Sequence, residues 1–182
     1  MITEKILSRG GITLRQIELT DCTWSYVEWL NDPEINQYLE TRWMKQDLDN
    51  IREFVNGQRN NDHSLLFAIT ISQSGKHIGN IKIGPINRHH QHADISYFIG
   101  DKQYWNRGIA SEAINLICRF GFDDLELRRI EAGCYAEAVG SRKALEKNGF
   151  VCEGRFREQV LCQGNCMDIY RYGLLKREFK EF

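Results

Sequence analysis

The order of hydrophobic periodicities predicts a single α/β domain on a mixed, mostly antiparallel, twisted sheet of about seven strands flanked by about four helices. Three observations carry this. Stretches with two-residue alternation stand before, between and after stretches with helical spacing. Three strand-like runs lie side by side between Leu65 and Ile99, parted only by turn-forming residues, as in an antiparallel meander. The chain has 182 residues, about one domain's length, and a core of that size hides about 70% of the unfolded surface without disulfides or metal. With two prolines, no internal repeat and no linker, the domain is expected to span 1–182 around a core of 12–175.

The elements follow in order. Ile12 to Ile17 alternates as a first strand. Thr20 or Asp21 can cap a helix with Trp24, Val27 and Leu30 on one face, and Asn31-Asp32-Pro33 ends it. A short helix follows from Glu34 to Leu39. Gln46-Asp47 opens a clearer one with Leu48, Ile51, Phe54 and Val55 on its apolar face, closed by Asn60-Asn61-Asp62. Leu65–Ile71 is continuously apolar, as a buried strand is. Residues 78–86 alternate through Ile81 and Ile83 against Asn80 and Lys82. Residues 93–99 alternate Ala93, Ile95, Tyr97 and Ile99 against Asp94, Ser96 and Phe98. The period then changes. Ile109, Ala113, Ile114, Ile117, Phe120 and Gly121 mark a helix over about 107–123. Residues 129–135 form a strand, 139–148 a helix stopped by Asn148-Gly149, and 150–160 with 167–174 a final hairpin.

Twenty-four basic and 25 acidic residues leave a formal charge of -1. That balance gives no broad field for nucleic acid or an anionic membrane, so neither is expected as a partner. Glu4, Lys5 and Arg9 break any apolar leader in Met1 to Gly11, and no apolar run reaches the roughly 20 residues of a membrane span. The six cysteines contain no C-x-x-C pair, and Cys22, Cys118, Cys134 and Cys152 fall in apolar or periodic segments. Reduced, mostly buried thiols in a cytoplasmic protein are the expectation. Cys162 and Cys166 flank Gln163-Gly164-Asn165 and straddle a hairpin turn. His89, His90 and His92 crowd the loop between two strands, with no acidic or Cys partner at a metal-motif spacing, so no metal is expected.

The junction after residue 99 carries the chemistry. A strand gives way to Tyr104-Trp105-Asn106-Arg107-Gly108-Ile109-Ala110, and a helix starts at once. A helix N-terminus offers free N–H groups and partial positive charge, and Gly108 with the small Ala110 lets a bulky anion approach the backbone. The loop has the make-up of a pyrophosphate cradle, to which Arg107 adds an ionic contact. It is neither a G-x-G-x-x-G turn nor a P-loop.

The strand order, this loop and Ser141-Arg142-Lys143-Ala144-Leu145-Glu146-Lys147-Asn148-Gly149-Phe150 together resemble the GNAT superfamily of acyl-CoA N-acyltransferases over nearly the whole chain. In the family signature Q/R-x-x-G-x-G/A, Gly108 and Ala110 match the small positions, while Trp105 replaces the usual Gln or Arg. The Tyr-Trp-x-x-Gly-x-Ala-x-Glu-Ala form, Arg129-Ile130-Glu131-Ala132 and Glu153-Gly154 are similar to the RimJ/RimL-type branch, named for ribosomal-protein N-terminal acetyltransferases. The resemblance implies a sheet splayed between strands 4 and 5, with acetyl-CoA as acyl donor. Its pantetheine arm would lie along Tyr97, Phe98 and Ile99, and its pyrophosphate on the N–H groups of Asn106, Arg107, Gly108, Ile109 and Ala110, with Trp105, Ser141 and Lys143 as further cofactor-binding residues. The amine would attack the thioester directly, without an acyl-enzyme.

Two positions depart from the family pattern. Ala138 replaces an Asn common three residues before Ser141, and Leu145 replaces the general-acid Tyr four residues before Gly149-Phe150. Ser141 is therefore the candidate acid for the leaving thiolate, against the alternative that it only caps or packs its helix. The branch's basic Glu aligns with Val160, which leaves Asp94 as the candidate base, with Glu131 behind it. Asp94 could equally be a solvated carboxylate or an Arg partner. Tyr38 and Trp43, beside Asn36 and Arg42, are candidate acceptor contacts, and Asp168 a candidate anchor for an amine or peptide. The acceptor is expected to be a protein N-terminal α-amine or a small-molecule amine, in a monomer or homodimer. Residues 31–39 also resemble amino-sugar acetyltransferases of surface-glycan synthesis. A non-catalytic acyl-CoA-binding module is the remaining alternative.

Overall fold

The computed structural model, which describes residues 6–180, begins with a hairpin that the hydrophobic pattern does not announce. Met1 to Lys5, and with them most of the charged N-terminal stretch, lie outside the described residues. β1 (Leu7–Arg9) turns back into β2 (Ile12–Gln16) through Gly10 and Gly11, both in the left-handed region. Three residues are too few for a periodicity to register, yet Leu7 is buried and pairs with Leu14.

α1 (Trp24–Asn31) is capped by Thr23, whose hydroxyl accepts from the Tyr26 N–H, rather than by Thr20 or Asp21. Such a cap contributes about 1 kcal/mol. Asp21 instead turns inward and takes two hydrogen bonds from Arg15, at 2.6 and 2.7 Å. The buried face of α1 is Tyr26, Val27 and Leu30, and Trp24 stands exposed. α2 (Pro33–Asn36) is shorter than expected. Asp47 caps α3 (Leu48–Arg59) as the sequence suggests, but only Ile51 and Val55 bury fully and Phe54 points outward.

β3 (Leu65–Ile71), β4 (His77–Asn87) and β5 (His92–Ile99) form the meander. α4 (Ile109–Asp123) crosses over to β6 (Arg129–Tyr135), and α5 (Val139–Lys147) leads to the hairpin of β7 (Val151–Cys162) and β8 (Asn165–Leu175). Among the described residues the sheet has eight strands in the order β1-β2-β3-β4-β5-β6-β8-β7, one more than expected, with five helices. Every neighbouring pair is antiparallel except β5 and β6.

Alternation along the strands sorts side chains between two layers. Phe67, Ile81, Ile83, Ala93 and Ile95 pack with Ile114, Ile117 and Phe120 under α4 and α5. Leu66 and Ala68 pack with Tyr26, Val27, Ile51 and Val55 under α1 and α3. Asn80 faces away from Ile81 as its position predicts, but it is buried, with His77 Nε2 2.9 Å from its Oδ1. Cys22, Cys118, Cys134 and Cys162 are buried, whereas Cys152 and Cys166 are exposed. Cys152 sits on the outermost strand, where alternation does not imply burial.

Candidate active site

The site begins where two strands part. β5 and β6 pair in parallel at His92↔Arg129, Ala93↔Ile130 and Asp94↔Glu131 only. Beyond that rung β5 stays paired to β4 as far as Ile99, and β6 stays paired to β8 as far as Tyr135. From Ile95 and Ala132 onward two strand edges therefore face each other without a ladder between them. Backbone groups in such a gap need partners, and an extended chain laid between the strands would supply them.

On the helical side of this gap the Tyr97 hydroxyl lies 2.8 Å from Ser141 Oγ and 3.3 Å from the Ser141 carbonyl oxygen. Burial raises the phenol's pKa well above its ordinary value, and the hydrogen bond with Ser141 only partly opposes this, so Tyr97 keeps its proton at neutral pH. Ser141 is the third residue of α5 and makes no cap hydrogen bond; the cap position is Ala138. Leu145, where the resemblance would place a tyrosine, is buried in the core. Lys143 is exposed on the same helix.

The mouth of the gap leads to the loop before α4. Trp105 donates from its indole nitrogen to the Ile99 carbonyl at 2.8 Å, which pins the loop to the end of β5. Asn106 and Gly108 are both left-handed, with φ of 58° and 78°. α4 starts at Ile109, two residues later than the periodicity implies, because Gly108 occupies its cap. Among the described residues no acceptor engages the backbone N–H groups from Asn106 to Ser111. A side-chain carbon added at Gly108 would meet nothing within 4 Å, so the space above it is open. The helix end carries about half a positive charge. Asn106, Arg107 and Gly108 are exposed, and the Arg107 guanidinium sits 5.6 Å from the Tyr104 ring centre. Open space, unpartnered donors and positive potential fit a diphosphate.

A residue that the sequence marks only as a helix stop holds the two helices in register. Asn148 is buried and donates to Ser111 O at 3.0 Å, Ser111 Oγ at 3.1 Å and Ala144 O at 2.8 Å. It ties the end of α5 to the first turn of α4, and so Ser141 to the cradle.

Asp94 is not a free base. Its carboxylate accepts from Arg171 at 3.0 Å, and Arg171 also donates to Glu131 at 3.1 Å. Glu131 in turn accepts from Arg129 at 2.7 Å. Burial would raise the Glu131 pKa, but Arg129, His92 and Arg171 together hold it below the ordinary value. Both candidate carboxylates are thus held by Arg171 on the sheet face away from Ser141.

Tyr38 and Trp43 do come together, at the end of β6. Tyr38 packs on Tyr135 with ring centres 5.4 Å apart. The Tyr135 hydroxyl donates to Glu40, which also accepts from the Trp43 indole at 3.2 Å. Burial and the Glu40 hydrogen bond push the Tyr135 phenol up to about 12. Arg42 lies 4.2 Å from the Trp43 ring centre and donates to Leu161 O at 3.0 Å, strapping the 3-10 turn Glu40–Trp43 to the β7–β8 hairpin. Trp43 is 61% exposed. Asp168 lies apart from this group. Its carboxylate accepts from Arg155 and from the Glu158 N–H, the latter at 2.7 Å. Glu158 is left-handed at the irregularity of β7, so Asp168 pins a strand bulge instead of offering a free anchor. Among the described residues no three His, Cys, Asp or Glu side chains are grouped to hold a metal, and no helix is long and apolar enough to cross a membrane.

Comparison with known proteins shows the family and the fold. The family described as the Acetyltransferase (GNAT) domain matches residues 12–151. The uncharacterised N-acetyltransferase p20 of Bacillus licheniformis is 33% identical over 92% of this chain and 94% of its own. The spermidine N(1)-acetyltransferase of Vibrio cholerae is 24% identical over 92% of this chain and 95% of its own. A crystal structure of spermidine N-acetyltransferase from the same organism, in complex with CoA and spermine, has the same fold. Its TM-score is 0.84 at 24% identity, over 93% of this chain and 98% of that one.

Proposed function

The chain belongs to the GNAT acetyltransferase family, and from that premise we propose that it moves an acetyl group from acetyl-CoA to a primary amine by direct attack. The observation that carries this is the parting of β5 and β6 immediately before a row of unpartnered N–H groups. The free edge of Tyr97, Phe98 and Ile99 takes the pantetheine arm. The N–H groups of Asn106 to Ala110 take the pyrophosphate, with Arg107 alongside, and Trp105 holds the loop. As the carbon–nitrogen bond forms and the carbon–sulfur bond breaks, Ser141 gives its proton to the departing sulfur and takes back, through water, the proton that the new amide nitrogen sheds. Tyr97 fixes the direction of that hydroxyl. The acceptor must be neutral to attack: an α-amine, with a pKa of about 8, reaches that form readily, and an alkyl amine, with a pKa of about 10, must give up its proton to water in the open mouth before it attacks.

The acceptor enters past Tyr38, Tyr135, Glu40 and Trp43. The exposed Trp43 ring beside Glu40, whose carboxylate also accepts from Arg42 at 3.3 Å, suits a cationic small-molecule amine, and the similarity to a spermidine acetyltransferase supports that class. The loop residues Trp105 to Ala110 keep the RimJ/RimL-type form, which favours the protein α-amine as the second acceptor to examine. The test is thiol release from acetyl-CoA with polyamines, N-terminal peptides, aminoglycosides and nucleotide-linked amino sugars. Release that depends on one class of primary amine is expected, with polyamines first. Tight acetyl-CoA binding without release on any amine would mark a binding module instead.

A further inference from the structure

A groove between two parting strands needs a fixed starting point. Facing free edges gain hydrogen bonds by pairing further and lose them by parting sooner. A device at the apex must therefore hold the fork in one place. On the sheet face away from α4 and α5, Arg171 of β8 lies in register with Gly133 of β6. A side-chain carbon at Gly133 would sit 3.1 Å from an Arg171 guanidinium nitrogen, so the bare backbone there lets the guanidinium lie across β6. One nitrogen of that group donates to Asp94 of β5 at 3.0 Å and to Glu131 of β6 at 3.1 Å. Asp94↔Glu131 is the last rung of the parallel ladder. The ion pair thus closes on the very rung where pairing stops.

We propose that Arg171 is a positioning residue for the acyl donor, a clasp that sets the apex of the β5–β6 groove and hence the spacing of the edges that receive the pantetheine arm. The proposal rests on the acetyltransferase reading above. Without the guanidinium, Glu131 keeps Arg129 but Asp94 is left facing it across adjacent strands with no bridge between the two carboxylates, which loosens the rung. The edges beyond it then lose their fixed separation. The cradle before α4 lies at the other end of the gap and keeps its own supports in Trp105 and Asn148.

That separation gives the test. CoA spans groove and cradle, whereas 3′-phospho-ADP, its nucleotide half, occupies the cradle alone. Both affinities are measured by titration calorimetry on the wild type, Arg171→Met, Arg171→Lys and Asp94→Asn. Expected for Arg171→Met is a loss of CoA affinity of about tenfold, the scale of losing preorganisation along one ligand arm, with 3′-phospho-ADP affinity within about twofold of wild type. Arg171→Lys keeps the charge and restores most of the CoA affinity. Asp94→Asn removes one end of the clasp at a half-exposed position, and it repeats the selective loss even if Arg171→Met fails to fold. Unchanged CoA affinity in Arg171→Met or, where that variant does not fold, in Asp94→Asn overturns the clasp. So does an equal loss for both ligands, which would mean general damage. A wild type that binds neither ligand overturns the acetyltransferase reading itself.

Discussion

Ser141 and Tyr97 come from opposite sides of the strand gap and meet at 2.8 Å. A serine hydroxyl alone is a poor proton donor. Held by a phenol that burial keeps protonated, it has a fixed direction and a hydrogen bond behind it. Ser141→Ala is expected to lower turnover about a hundredfold, the scale of general acid catalysis, with CoA affinity nearly unchanged in the same calorimetric measurement. Tyr97→Phe should lower it less, since it frees the hydroxyl without removing it. Wild-type turnover in Ser141→Ala would return that residue to a packing role. The place of Ser141 near the start of α5 was legible from the segment around it. The Tyr97 hydroxyl was not, because alternation places that ring toward the helices and says nothing about what its tip touches. Asp94 shows the opposite difficulty. Its side was correctly read from alternation, but its partner Arg171 is 77 residues away and carries no local signal.

The proposed cradle is a property of an element's end, and its essential parts are backbone. Gly108 is left-handed with open space above it, and it hands the chain into α4 with its first N–H groups unpartnered. Gly108→Glu sets strain, bulk and a negative charge at that end together. Loss of measurable CoA binding is expected, and retained affinity would remove the diphosphate from this loop. Because the glycine faces solvent, the far-ultraviolet circular dichroism of the variant should match that of wild type. This loop was readable because Gly108 and Ala110 stand at a helix start whose apolar period is long and strong. The β7–β8 hairpin was read as elements but not as contacts. Asp168 seemed available in sequence, yet the β7 irregularity presents the Glu158 N–H and Arg155 to it. A bulge changes which residues face each other, and nothing in a two-residue alternation encodes it.

At the scale of the molecule, the α1 layer is joined to the sheet through a buried polar group. Tyr26 and Trp29 enclose the His77 ring, and its Nε2 lies 2.9 Å from both Gly79 O and Asn80 Oδ1. Burial lowers its pKa below the ordinary 6.5, although Asn80 and Asp21 pull the other way. The unfolded chain therefore takes up this proton first as the pH falls. Stability from this group is full above 6.5 and declines as the pH drops toward the lowered value. The thermal midpoint should fall on acidification below that pH, and His77→Gln should show a shallower fall over the same range. An identical slope would mean that His77 is not held neutral. The fold class was legible because eight strands and five helices mostly announce their own period, whereas this joint depends on three elements meeting. The sheet carries one more consequence. β1 to β5 and β6 to β8 are each built from antiparallel neighbours, and among the described residues the backbone ladder between the two sets has three parallel rungs, beside the core they share under α4. Non-local parallel pairing is the slowest contact to form. The seam between the halves is therefore the expected late event in folding and the easiest place for the native sheet to open. A ligand bridging that seam would act as its mortar, slowing unfolding by supplying the backbone partners that the two parted edges lack.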